Sequence, residues 1–159
     1  MKPILINNKL LVSFPESFFQ MDKEEKASLG ADSDKIVALK STELHIVVSI
    51  GWKNVDGVRG LFNKILMGND PVKNMESFFQ KRIKKYGYKK EEYLQCEAGG
   101  MTAEGLHYTY TSQGIAMTGE SYVLKKEQTL YYLHCYYRTD LSQESRIICK
   151  QLLDSIQWK

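Results

Sequence analysis

Residues 88–138 constrain the fold more than any other part of the chain. This stretch is rich in tyrosine and β-branched residues, and only Gly99-Gly100, Gln113-Gly114 and Lys126-Glu127-Gln128 interrupt it. Breaks of two or three residues are too short for a crossover, so the four strands they separate must run antiparallel as a meander of hairpins. The last strand, Leu130-Tyr131-Tyr132-Leu133-His134-Cys135-Tyr136-Tyr137, is apolar or aromatic at odd and even positions alike. A strand of that kind is expected at the centre of a sheet covered on both faces.

The flanking segments supply the covers. Ile4-Leu5-Ile6 and Leu10-Leu11-Val12-Ser13-Phe14 read as strands about the polar break Asn7-Asn8-Lys9, and Pro15 ends the second. Asp22 and Glu25 have capping-box spacing ahead of a short helix that Gly30 closes. Residues 36–40 and 43–52 read as two strands turning at Ser41-Thr42, with Leu44, Ile46, Val48, Ile50 and Trp52 on one face. From Val58 the period changes: Val58, Leu61, Phe62, Ile65 and Leu66 fit a helix that Gly68-Asn69 stops. A second helix follows at once, with Asp70 as N-cap, Pro71 at its first position, and Val72, Met75, Phe79, Ile83 and Tyr86 as an apolar stripe ending at Gly87. A closing helix is expected after Asp140, which has capping-box spacing to Gln143. It places Ile148, Leu152 and Ile156 on one stripe, with Cys149 and Leu153 beside them.

The expected architecture is α+β: a largely antiparallel sheet of about six strands sandwiched between helices. With 159 residues and no linker, repeat or low-complexity tract, the chain reads as a single domain over 1–159. Three cysteines, Cys96, Cys135 and Cys149, are an odd number without a CxxC pair, so free thiols are expected in place of a disulfide framework or zinc knuckle. No run approaches the roughly 18 apolar residues that span a bilayer. The opening residues lack the pattern of an export signal, and a cytoplasmic location is expected.

Motifs for phosphate loops, dinucleotides, zinc proteases, serine hydrolases and EF-hands are absent, and neither a metal nor a cofactor is expected. His45, His107 and His134 all fall in expected strands. His107 can meet Cys96 or Cys135 as a catalytic pair only in a favourable register, whereas His134 and Cys135 are neighbours in one strand and must point to opposite faces. Two binding features stand out. Tyr108 shares a face with Tyr110, and Tyr132 with Tyr136, giving a surface suited to stacking on a ligand or gripping a partner. Lys81, Arg82, Lys84, Lys85, Lys89 and Lys90 form a basic run without an acidic residue inside it. Without those six the chain holds 16 basic and 19 acidic residues, so the net charge of +3 is one positive spot on a weakly acidic body. Such a spot can attract an acidic protein surface, phosphates or anionic lipid headgroups. Specific nucleic-acid binding is not expected, because no interleaving of aromatic and basic residues extends beyond it.

Three features together resemble one fold family. They are the opening Leu11-Val12-Ser13-Phe14-Pro15-Glu16-Ser17-Phe18 with Met21 and the small capped helix, the mid-chain helix before long hairpins, and an aromatic strand leading into Leu152-Leu153-Asp154-Ser155-Ile156. The chain is similar to Mog/PsbP-like α/β/α sandwiches, the group of photosystem PsbP, Ran-binding Mog proteins and bacterial DcrB-like proteins. The resemblance implies a non-catalytic protein-binding, chaperone or adaptor role, and it transfers no functional residue to this chain. The alternative is a small-ligand-binding or hydrolytic domain with a cavity between the sheet and the helix over 70–86.

Overall fold

The computed structural model describes residues 1–30, 33–55 and 70–159. Its strands are β1 (Lys2–Ile6), β2 (Leu10–Phe14), β3 (Phe19–Gln20), β4 (Ile36–Ser41), β5 (Ile46–Asn54), β6 (Lys89–Ala98), β7 (Met101–Ser112), β8 (Ile115–Lys126), β9 (Thr129–Arg138) and β10 (Gln157–Trp158). The helices are α1 (Lys23–Ala27), α2 (Pro71–Arg82) and α3 (Ser142–Asp154). The helix expected from Val58 lies outside the described residues.

The meander forms as expected. Strands β6 to β9 pair in sequence order, and β9 continues the sheet onto β5, giving an antiparallel seven-stranded order β3-β4-β5-β9-β8-β7-β6. Two-residue connections at Gly99-Gly100 and Gln113-Gly114 place both residues at positive φ, the conformation that matches strand twist in a tight hairpin. Asn7 and Asn8 do the same between β1 and β2 (φ 50° and 55°). A second sheet, β1-β2-β10, carries the C-terminal strand against β2.

The central strand is covered on both sides, by different partners. One face of the large sheet packs on α3 and the small sheet through Ile6, Phe14, Val48, Leu133, Cys149 and Leu152. The other packs on α2 through Val72, Met75, Phe79, Leu106 and Tyr108. Alternation along β9 divides its residues between the layers. Tyr131, Leu133, Cys135 and Tyr137 belong to the α3 side, and Tyr132, His134 and Tyr136 lie on the α2 side. The α/β/α arrangement of the sequence reading is present, with a second small sheet sharing the α3 layer and seven strands in the main sheet.

Local expectations fare unevenly. The capping box at α1 is present: Glu25 N–H donates to Asp22 Oδ1 at 2.9 Å, and Asp22 N–H donates to the Glu25 carboxylate at 3.0 Å. Asp70 caps α2 by accepting from Val72 and Lys73 N–H. Asp140 caps nothing. It pairs with Arg138, and α3 begins after a 3-10 turn, Thr139–Leu141, without a side-chain cap. His45 is a turn residue at φ 50°, so β5 starts at Ile46 and not at Glu43. Helix α2 stops at Arg82, because Ile83 stays turned towards the sheet while a 3-10 turn, Lys84–Tyr86, carries the chain to Gly87 (φ +74°) and the edge strand. Tyr86 therefore leaves the apolar stripe and is 43% exposed.

Candidate functional site

The four candidate tyrosines converge on the α2 face. Tyr108 is fully buried, Tyr110, Tyr132 and Tyr136 are partly buried, and the ring of Phe79 lies 4.6 Å from that of Tyr108. Gly119 makes this possible. It sits in register between Tyr108 and Tyr136, and the Tyr108 ring occupies the space its missing side chain leaves, so the two phenols reach each other across β8. Burial raises the pKa of both. Next along β9, His134 Nδ1 is 2.7 Å from Ser121 Oγ, which is 2.9 Å from Tyr108 Oη. Ser121 is fully buried, and it joins His134 and Tyr108 in a packed hydrogen-bond chain.

Burial lowers the pKa of His134 from 6.5 to about 4. A histidine whose folded pKa is depressed takes up its proton more readily in the unfolded chain, so stability falls as pH drops below 6.5. Between pH 7.5 and 5 the expected loss is about 2 kcal/mol. Urea midpoints at the two pH values should show it in the native chain and show little of it in His134→Gln.

On the opposite face a charged residue occupies a core position. Glu120 is in phase with Tyr122 and Leu124, and its side chain is only 4% exposed. Tyr137 Oη donates to its Oε1 at 2.8 Å, Tyr122 Oη donates to its Oε2 at 3.1 Å, and Arg146 Nε of α3 donates to Oε1 at 2.9 Å. Burial, reinforced by the carboxylate, raises the pKa of both phenols. Glu92, His107, Glu120 and Cys135 are register partners in one row across the sheet, with Glu92 Oε1 3.4 Å from His107 Nδ1 and 3.7 Å from Arg146. Glu120 therefore stands between His107 and Cys135, which are one strand too far apart to pair. The sequence reading missed this network. Its signal was a carboxylate in phase with apolar residues, which demands a donor.

A cavity of about 550 Å³ opens beside Glu120, between α3 and the β6 end of the sheet, with Cys96, Tyr122, Arg146, Ile147 and Lys150 among its lining residues. It lies on the α3 face, opposite the side where the alternative reading expects one. Behind it, Gly105 is the register partner of both Leu94 and Tyr122, and Ala103 that of Cys96, and the Tyr122 ring covers the place where a Gly105 side chain would stand. Burial raises the pKa of the Cys96 thiol.

The basic run is dispersed by its contacts. Arg82 donates to the Gly30 carbonyl and covers the Phe78 ring, while Lys90 pairs with Glu76 at 3.2 Å and lies 4.2 Å from the centre of the Tyr93 ring. Lys85 covers Tyr86, and Lys89 approaches Glu91 at 3.8 Å. Lys81 and Lys84 make no ion pair among the described residues. Lys84 and Lys85 belong to the 3-10 turn, so they do not continue the helical spacing from Lys81.

This arrangement of layers is that of PsbP-like proteins. Over 94% of this chain and 86% of the other, the structure is similar to cyanobacterial PsbP (CyanoP) from Synechocystis sp. PCC 6803, with a TM-score of 0.64 at 11% identity. It is also similar to PA94 of Pseudomonas aeruginosa, a protein of unknown function (TM-score 0.52, 10% identity, 96% and 93% covered). LpqN, involved in cell envelope biogenesis of Mycobacterium tuberculosis, has a TM-score of 0.50 at 13% identity over 94% of this chain and 83% of its own. No family model and no curated protein sequence matches the chain. Among the described residues, no helix is long and apolar enough to cross a membrane.

Proposed function

We propose that this chain is a non-catalytic protein-binding accessory domain of the Mog/PsbP-like kind, recognising an acidic partner at the end of the sheet where α2, the Lys84–Tyr86 turn and β6 meet. One observation carries the reading. Exposed aromatic rings at this end, Phe78, Tyr86 and Tyr93, each have a cation over them: Arg82, Lys85 and Lys90. Aromatic and arginine side chains are the groups that dominate protein interfaces. Lys81, Lys84 and Lys85 add positive charge without buried partners, so they can meet carboxylates of a partner at little structural cost. Tyr108, Tyr110, Tyr132 and Tyr136 support this end from beneath through the α2 layer.

The likeness to CyanoP and LpqN is one of fold, and it supports a role beside other proteins more than a reaction of its own. The free thiols fit the cytoplasmic location expected from the sequence. The second reading, a small-ligand site, is favoured by the cavity at Glu120, although the Glu120 carboxylate already accepts three hydrogen bonds.

Affinity capture from the source cells tests the proposal. The native chain should recover a partner protein that the variant carrying Lys81→Glu, Lys84→Glu and Lys85→Glu recovers at least about tenfold less, and the difference should shrink with added salt. Equal recovery by both chains, or recovery of no protein by either, would contradict it.

A further inference from the structure

We infer that the partner contributes an extended segment that adds as a strand to the outer side of β6 and seats a side chain in the cavity beneath α3. The inference rests on the protein-binding reading and names its mode. Strand β6 is at the end of the seven-stranded order, and among the described residues nothing pairs with its outer side. Unpaired edges present backbone donors and acceptors to any extended chain, and proteins usually blunt them with charge and bulges. Here the bulge and four of the five charged residues of β6 lie in its first half. Lys89, Lys90, Glu91 and Glu92 are charged, and the register shifts between Lys90 and Glu92. From Tyr93 to Cys96 the edge is uncharged and in regular register.

The cavity opens beside this unprotected half. Leu94 and Cys96 turn towards α3 while Tyr93 and Gln95 turn away, and Cys96 lines the cavity with Tyr122 behind it and Ile147 of α3 across it. Ile147 is 58% exposed, an apolar side chain held at the rim. A strand added to β6 would place every second side chain on the α3 face, at the mouth of this space.

The charges specify the segment. In the lining, Arg146 is engaged by Glu120 and Lys150 by Asp154 at 2.6 Å. Glu97 accepts a hydrogen bond from Thr102 but has no cation among the described residues. The segment that fits is an extended peptide with a medium-sized apolar residue for the space lined by Cys96, Tyr122 and Ile147, and a lysine or arginine for Glu97.

Panning a phage-displayed library of random ten-residue linear peptides on the full chain tests this. Enriched peptides should pair an apolar residue with a nearby lysine or arginine. A synthetic copy should slow amide hydrogen exchange within β6, and Glu97→Lys should weaken its binding at least about tenfold while the variant keeps the native circular dichroism spectrum. Enriched peptides that protect α2 and the Lys84–Tyr86 turn and leave β6 unchanged would overturn strand addition and leave the protein-binding reading standing. Failure of any peptide to enrich would overturn it, as would self-association of the chain through β6, which sedimentation would reveal. The capture experiment decides the broader reading separately.

Discussion

Arg146→Met is expected to cost about 2 to 3 kcal/mol, because it leaves a nearly inaccessible carboxylate with only two neutral donors. Removing one partner of a fully buried pair costs about 3 to 5 kcal/mol. The lower figure applies here because Arg146 itself is 47% exposed and water can approach its place. Thermal unfolding should fall by roughly 5 to 10 °C for a chain of this size. The decisive comparison is the double variant Glu120→Gln with Arg146→Met, which removes the charge together with its partner. It should recover more than half of the loss. If Arg146→Met unfolds at the native midpoint, Glu120 is hydrated and the network is not a structural unit.

Gly105→Ala should be at least as damaging, at about 3 kcal/mol, for a steric reason. A Cβ built at Gly105 meets the backbone carbonyl of Ser121 and the Tyr122 ring, which is 2.9 Å away at its nearest carbon, and a backbone atom in a paired strand cannot move aside without breaking the β7–β8 ladder. Gly114 is the control. Its φ is +77° but nothing lies near its missing side chain, so Gly114→Ala should cost only about 1 kcal/mol, the backbone penalty alone. Denaturant titration of the two variants separates the contributions. Equal losses would show that the space at Gly105 is not as tight as the geometry requires.

How much of the molecule could be read from its residues depended on whether the signal was local. The four-strand meander was legible because its turns are only two residues long, with glycine in two of the three, and such short connections leave antiparallel pairing as the only topology. The α1 and α2 caps were legible for the same reason, since Asp22, Glu25, Asp70 and Pro71 act within one turn of helix. Asp140 carried an equally good local pattern and failed, because Arg138 two residues earlier captured its carboxylate. Tyr86 departs from its stripe because the helix ends at Arg82, five residues before Gly87, and a 3-10 turn follows that keeps Ile83 inward. The two short edge strands were illegible in principle. Strand β3 and strand β10 are two residues long and exist only through their pairing with Lys40 and Leu39, and with Leu10 and Leu11.

The candidate site divides along the same line. That Tyr108 and Tyr110 share a face, and Tyr132 and Tyr136 another, follows from alternation within each strand. That all four share one face, with His134 among them, depends on the β7–β8–β9 register. The cavity beside Glu120 depends on tertiary placement too, because its lining comes from β6, β8 and α3, which are distant in sequence. The basic run was visible as a cluster, yet only contacts distant in sequence, from Arg82 to Gly30 and from Lys90 to Glu76, show which of its cations are engaged within the fold.

A partner protein docked at the β6 end of the sheet would lie within reach of Tyr93. Site-specific photocrosslinking in the source cells tests it most directly, with a photoreactive residue placed at Tyr93 in one variant and at Glu43, on the exposed β4–β5 turn several strands away, in another. A discrete protein adduct is expected from position 93 and none from position 43, with the adduct lost when Lys81, Lys84 and Lys85 are reversed to glutamate. Absence of an adduct at position 93, or equal labelling from both positions, would contradict it.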